Sequence, residues 1–215
     1  MHTGGIRTSH FSSATVQNRH EVLSYINFSG KALMEKVDNL FDLFDELLSD
    51  YNFDDLKRLA EIVRSAKSDM EDSIVPHGNH YVAARLQSYQ SRLGQFDERT
   101  DGITYYHFLE DLLARVEKDP VAVAGQFRQV AEYVFTQKNA LFNITSSQED
   151  YKKIEKRIAG TVNALSSKQW DVADWPLQAV PRNEGFLTAS NVQYVGKGAN
   201  LYEMGFKHSG QFEVL

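Results

Sequence analysis

Two stretches of the chain place a lysine among glycines, as a phosphate-binding loop does. Val192-Gln193-Tyr194-Val195 alternates like a strand and runs into Gly196-Lys197-Gly198, and Ser29-Gly30-Lys31-Ala32 stands before a helical pattern. A phosphate loop sets two glycines around four residues, then Lys-Ser or Lys-Thr, then a helix whose N-terminal N–H groups face the anion. Lys197 is followed by Gly198, Ala199-Asn200-Leu201-Tyr202 does not open a helix, and Lys31 lacks the upstream glycine. The first stretch therefore reads as a hairpin turn or strand bulge and the second as a helix cap. Nucleotide binding at Gly196–Gly198 is the least supported reading. Of seven histidines, His77 and His80 are the close pair, and Pro76 and Gly78 break the helix that would hold them rigid. Neither H-E-x-x-H nor H-x-x-E-H occurs, so the zinc peptidase helix is missing. The favoured alternative is that His80 and Arg85 pack or hydrogen-bond at a helix junction. Asp42, Asp45, Glu46 and Asp50 follow one polar helix face and Asp69, Glu71 and Asp72 another, as solvated carboxylates do. The chain has no cysteine, which excludes disulfides, thiolate metal sites and a cysteine nucleophile, and it has no G-x-S-x-G elbow. The residues alone nominate no catalytic, cofactor-binding or metal-binding position.

The elements around these residues follow from periodicity. Gly5–Val16 reads as strand with a turn near Ser12-Ser13, and Glu21–Phe28 as a strand ending at Ser29-Gly30. Leu33, Val37, Leu40, Phe41, Phe44, Leu47 and Leu48 then step by threes and fours, with Ser29 or Gly30 as N-cap. A second helix opens at Asp54 and breaks at Pro76, and helical pattern resumes over His80–Ser91. Gly94–Gly102 reads as a polar loop. Helices follow over Ile103–Lys118 and over Pro120–Thr136, the latter capped by Asp119. Asn139–Ser146 reads as a short strand, and Ser146-Ser147-Gln148-Glu149 has the spacing of a capping box for the next helix. Beyond Ser167 two tryptophans and two prolines mark a linker. Phe186–Met204 is strand-like again, and Gln211–Leu215 resembles a helix opening.

The whole is a 215-residue α+β chain: an antiparallel sheet with several helices packed on it, plus the first strand of a following similar unit. Hydrophobic residues make up 42% and charged residues 24%, ordinary values for a globular domain. A net charge of −6 without a basic block disfavours nucleic acid, and no apolar run approaches the length of a membrane span. Absence of cysteine favours a cytoplasmic home.

Several phrases carry a family likeness. "TGGI" at Thr3–Ile6, "FSGKALMEKVDNLFDLFDELL", "FDDLKRLAEIVRSAKSDMEDSI", "HGNHYVAARLQS", "GQFDERTDGITYYHFLEDL" and "EGFLTASNVQYVGKGANLYEMGFKHSG" follow one another in order. Together they resemble the C-terminal half of the presequence-protease and falcilysin branch of the insulinase/pitrilysin metallopeptidases. The stretch Trp170–Gly185 matches least well.

The resemblance implies a zinc endopeptidase that degrades unstructured peptides in a chamber closed by two halves. The family's H-x-x-E-H helix, and the arginine and tyrosine of its last domain, match no position here. It implies that residues 1–167 are the parent's third, peptidase-associated domain, 168–185 a linker and 186–215 the start of the last domain. This chain would then be a non-catalytic wall of the chamber, with zinc in the parent and none on these residues. Its partners would be the parent's other domains and, in the parent, peptide substrates. The alternative is a stand-alone, non-enzymatic scaffold or binding domain of the same fold. An uncovered strand edge near Phe186–Phe206 leads to an expectation of self-association.

Overall fold

The computed structural model describes residues 4–171, 183–207 and 210. Among them are two strands, β1 (Ile6–Ala14) and β2 (Val22–Gly30), and seven α-helices. The helices are α1 (Val37–Ser49), α2 (Leu56–Ile74), α3 (Gly78–Ser88), α4 (Arg92–Asp101), α5 (Ile103–Lys118), α6 (Pro120–Val134) and α7 (Gln148–Ala164). The α+β class therefore holds. The strands form one antiparallel hairpin: the Gly4 N–H donates to the Lys31 carbonyl at one end and the Thr15 N–H to the Glu21 carbonyl at the other. Strand β1 runs straight through Ser12-Ser13, where a turn is expected. Phe11, Tyr25 and Ile26 are exposed on the hairpin.

The chain divides into two compact units. The first takes the described residues of Met1–Phe11, Tyr25–Val63 and Leu113–Trp175, and the second those of Ser12–Ser24, Arg64–Leu112 and Pro176–Leu215. In the first unit α1 packs on α7. Leu40 and Phe41 bury against this pairing from α1, and Ile154 and Thr161 are buried on α7. A chain of rings joins Phe28, Phe135, Tyr51, Phe53 and Phe127, with neighbouring centroids 5.6–5.9 Å apart. Asp119 caps α6, its carboxylate accepting the Ala122 N–H at 3.0 Å, and Pro120 starts the helix where no N–H is missed. In the second unit Met70, Tyr81, Ile103 and Leu109 form the core, flanked by Ala66, Ile74, Tyr105 and Tyr106, and α3 packs on α4.

The structure corrects several expectations. Residues 94–102 are mostly helix, not loop: α4 buries Gly94, Gln95 and Glu98, a polar face that hydrophobic periodicity does not register. Its cap is Ser91, whose hydroxyl accepts the Gly94 N–H at 2.9 Å. Residues 139–146 are extended but unpaired; the nearby ladder is a single parallel bridge between Thr136 and Ser166. Phe186–Met204 contains no strand, because no second strand lies beside it to supply a ladder. Ser29 and Gly30 cap nothing: they end β2, a 3₁₀ turn over Met34–Lys36 intervenes, and α1 starts without a side-chain cap. The cap of α7 is Ser147, one residue later than Ser146. Its hydroxyl accepts the Asp150 N–H at 3.1 Å and donates to the Asp150 carboxylate at 2.9 Å. The helix expected at Gln211–Leu215, Met1 to Thr3, and the linker residues 172–182 with Trp175 lie outside the described residues.

Candidate functional site

The most elaborate polar cluster centres on Arg85. Three helices of the second unit position it: α3 carries Arg85 and is followed at once by Tyr89, α4 carries Glu98, and α5 brings Thr104. The Arg85 guanidinium forks onto Glu184, with Nε 2.7 Å from Oε1 and a terminal nitrogen 3.1 Å from Oε2. Its other terminal nitrogen donates to Glu98 Oε1 and to Thr104 Oγ1, each at 3.1 Å. The Tyr89 hydroxyl donates to Glu184 as well, and the Tyr89 and Phe186 rings flank the guanidinium with centroids 5.8 Å away. The Glu98 side chain is 2% exposed and the Arg85 side chain 17%. Glu98 also accepts the Thr104 N–H at 3.1 Å, so one carboxylate both neutralises Arg85 and caps the start of α5. Burial works against the arginine's charge. The hydrogen bonds and charge of Glu184, and then those of Glu98, outweigh it and hold the pKa above its ordinary value.

Glu184 begins a segment that lies along α3. Tyr194 rests on Gly78, where a Cβ would collide with the tyrosine ring. A Cβ on Gly196 would meet Val82 and come within 2.7 Å of Leu86, so glycine permits the close approach. Gly198 faces Leu86, and the Asn200 amide donates to the Gln90 carbonyl at 3.2 Å. The spacing fits: six extended residues cover about 20 Å, and twelve helical ones about 18 Å. The glycines of "VGKG" thus serve contact with a helix. Lys197 is exposed and the following residues 201–205 are turn, so no helix N-terminus faces the loop.

A second arginine cluster stands in the first unit. Arg157 on α7 bridges Asp42 at 2.6 Å and Asp45 at 2.7 Å, and the Thr161 hydroxyl donates to Asp45 at 2.6 Å. The expected solvated face of α1 is thereby split: Asp42 and Asp45 tie α1 to α7, while Glu46 and Asp50 stay exposed. On α2, Glu71 pairs with Lys67 and accepts from the Tyr106 hydroxyl at 3.4 Å, and Asp69 and Asp72 are exposed. His77 bonds the Ser73 carbonyl through Nδ1 at 3.1 Å, and His80 sits 3.9 Å from Asp101. Arg85 and His80 thus both stand at helix junctions. Among the described residues no group of three or more histidines and carboxylates could hold a metal, and no helix is long and apolar enough to cross a membrane.

Both arginine clusters commit their carboxylates to ion pairs, and the chemistry they support is cohesion between elements. Sequence reasoning singles out Arg85 but misses Glu98 and Glu184. Glu98 falls in the stretch read as loop, and Glu184 lies 99 residues from its partner, so only its place before Gly185-Phe186 could have drawn notice.

Known proteins resemble the chain over most of its length. It is 27% identical over 99% of its length to "Protein HypA" of Clostridium perfringens, covering 22% of that protein. It is 26% identical over 99% of its length to "Presequence protease 1, chloroplastic/mitochondrial" of Arabidopsis thaliana, covering 20% of it. With the mitochondrial presequence protease of Yarrowia lipolytica it shares 24% over 74% of its length, covering 16%. The chain spans about a fifth of the curated relatives it matches. The family model described as "Peptidase M-16C associated" matches residues 1–112, more than half of the 215. The chain therefore belongs to this peptidase-associated family.

Proposed function

We propose that this chain is a non-catalytic, chamber-forming part of a zinc-dependent endopeptidase that degrades unstructured peptides. The carrying observation is alignment of nearly the whole chain, 99%, with a presequence protease. Two features support the reading: the polar clusters act as struts between elements, and the hairpin leaves Phe11, Tyr25 and Ile26 exposed for neighbouring domains to cover. Zinc would polarise the scissile carbonyl and activate water elsewhere in the protein. The described residues here offer no ligand group that fits it.

On this reading residues 1–167 form one peptidase-associated domain, 168–185 connect, and 186–215 begin the next. The partners are the other domains of the peptidase, and the setting is the cytoplasm. The purified chain is expected to hold no stoichiometric zinc and to leave a fluorogenic peptide intact; one zinc per chain or steady hydrolysis would overturn the assignment. The second reading, a stand-alone scaffold of the same fold, predicts a reading frame that encodes little beyond these residues. An H-x-x-E-H helix in that frame would exclude it. The exposed hairpin also favours self-association of the isolated chain, which light scattering would detect as a mass above one chain.

A further inference from the structure

We infer that residues 184–200 form a strap that lifts off α3 as one unit, clipped down by a single charged latch, Glu184 on Arg85. This goes beyond the proposed function and does not depend on it.

The strap's hold on α3 is uneven. At one end Glu184 takes a fork from Arg85 and a hydroxyl from Tyr89; at the other Asn200 reaches the Gln90 carbonyl. Between them the contacts are Tyr194 on Gly78 and two glycines on Val82 and Leu86, so little apolar side chain is buried. The backbone of residues 193–199 makes no hydrogen bond to any other described residue. Val192, Val195 and Leu187 point into solvent. The strap therefore lacks the ladder and the apolar face that make a strand cooperative with its fold.

The receiving site is complete without it. Arg85 keeps Glu98 and Thr104 when Glu184 leaves, and Arg85 with Glu98 is a balanced pair, whereas the latched site holds two carboxylates against one cation. Both states leave the buried guanidinium paired, which is what a reversible latch requires. Once released, the strap is an extended segment whose free backbone groups can add to a sheet edge.

The chain has no cysteine, so a single introduced thiol reports local opening. Leu86→Cys puts that thiol under the strap, and Leu109→Cys puts one in the core of the same unit, where Leu109 is 3% exposed. Glu184→Ala is expected to speed thiol labelling at position 86 on the order of tenfold, the loss of charged hydrogen bonds, and to leave labelling at position 109 unchanged. Glu184→Gln, which keeps the shape, should fall between. Equal rates at position 86 with and without Glu184 would overturn the latch. A parallel rise at both positions would show that Glu184 supports the whole unit, and would overturn it equally.

Discussion

Residues 139–146 and 192–198 read alike and end differently. Both mix β-branched and aromatic residues, both are extended, and neither joins a sheet. In the first unit Leu141 is 80% exposed, while Leu141, Phe142, Asn143 and Ile144 line an open groove of about 590 Å³ with Tyr151 and Ile158 of α7. In the second unit the segment docks on α3 through glycines and an ionic latch. The contrast shows that alternation specifies an extended backbone but not its partner. A neighbouring helix can hold such a segment by side-chain contact, yet it cannot satisfy backbone groups as a strand would.

The sharpest test of the docked segment is Arg85→Ala. It leaves the Glu98 carboxylate, 2% exposed, without its cation, and should cost about 3–5 kcal/mol in urea unfolding. Glu184→Ala removes the outer partner alone and should cost far less. Similar losses from the two variants would mean that strap and helix junction are one structure. Next in size is Gly196→Val, whose added methyls run into Val82 and Leu86. It should cost about 1–3 kcal/mol by overpacking, or less if the strap simply lifts away. Thiol labelling at position 86 separates the two outcomes.

The undocked segment should be milder throughout. Leu141→Ala is expected to change stability by less than about 0.5 kcal/mol. Ile144→Ala, on the half-buried side, should cost more than Leu141→Ala; a reversed order would show that the groove binds the other face of the segment. The smallest effect lies where this segment meets α7. The Ser147 hydroxyl, and after it Lys153, hold the Asp150 carboxyl below its ordinary value. A carboxyl depressed on folding stabilises fully above its unfolded pKa, near ~4, and that stability fades as pH falls through the lower folded value. An NMR titration should find Asp150 ionised below the usual carboxylate range and Ser147→Ala moving its midpoint upward. A midpoint unmoved by that substitution would remove the hydroxyl as the cause.

Helices α1, α2, α5, α6 and α7 are legible because each presents an apolar stripe at helical spacing, bounded by a cap or a proline. Helix α4 is not, since the face it buries is Gly94, Gln95 and Glu98, and its partners lie on other helices. Of the Arg85 cluster, the arginine and its place at a helix junction are legible. The carboxylates that complete it come from 13 and 99 residues away, beyond any local pattern.

By itself the sequence determined the α+β class, the succession of most helices, the absence of thiol chemistry and the family likeness. These rest on local periodicity, on composition and on the order of phrases. Tertiary structure alone decided that two strand-like segments go unpaired and that Gly196 faces a helix. It also decided that Asp42 and Asp45 join Arg157 while Glu46 and Asp50 stay in solvent. A strand is completed by its neighbour and an ion pair by its partner, and contacts between distant residues are made only when the chain has packed.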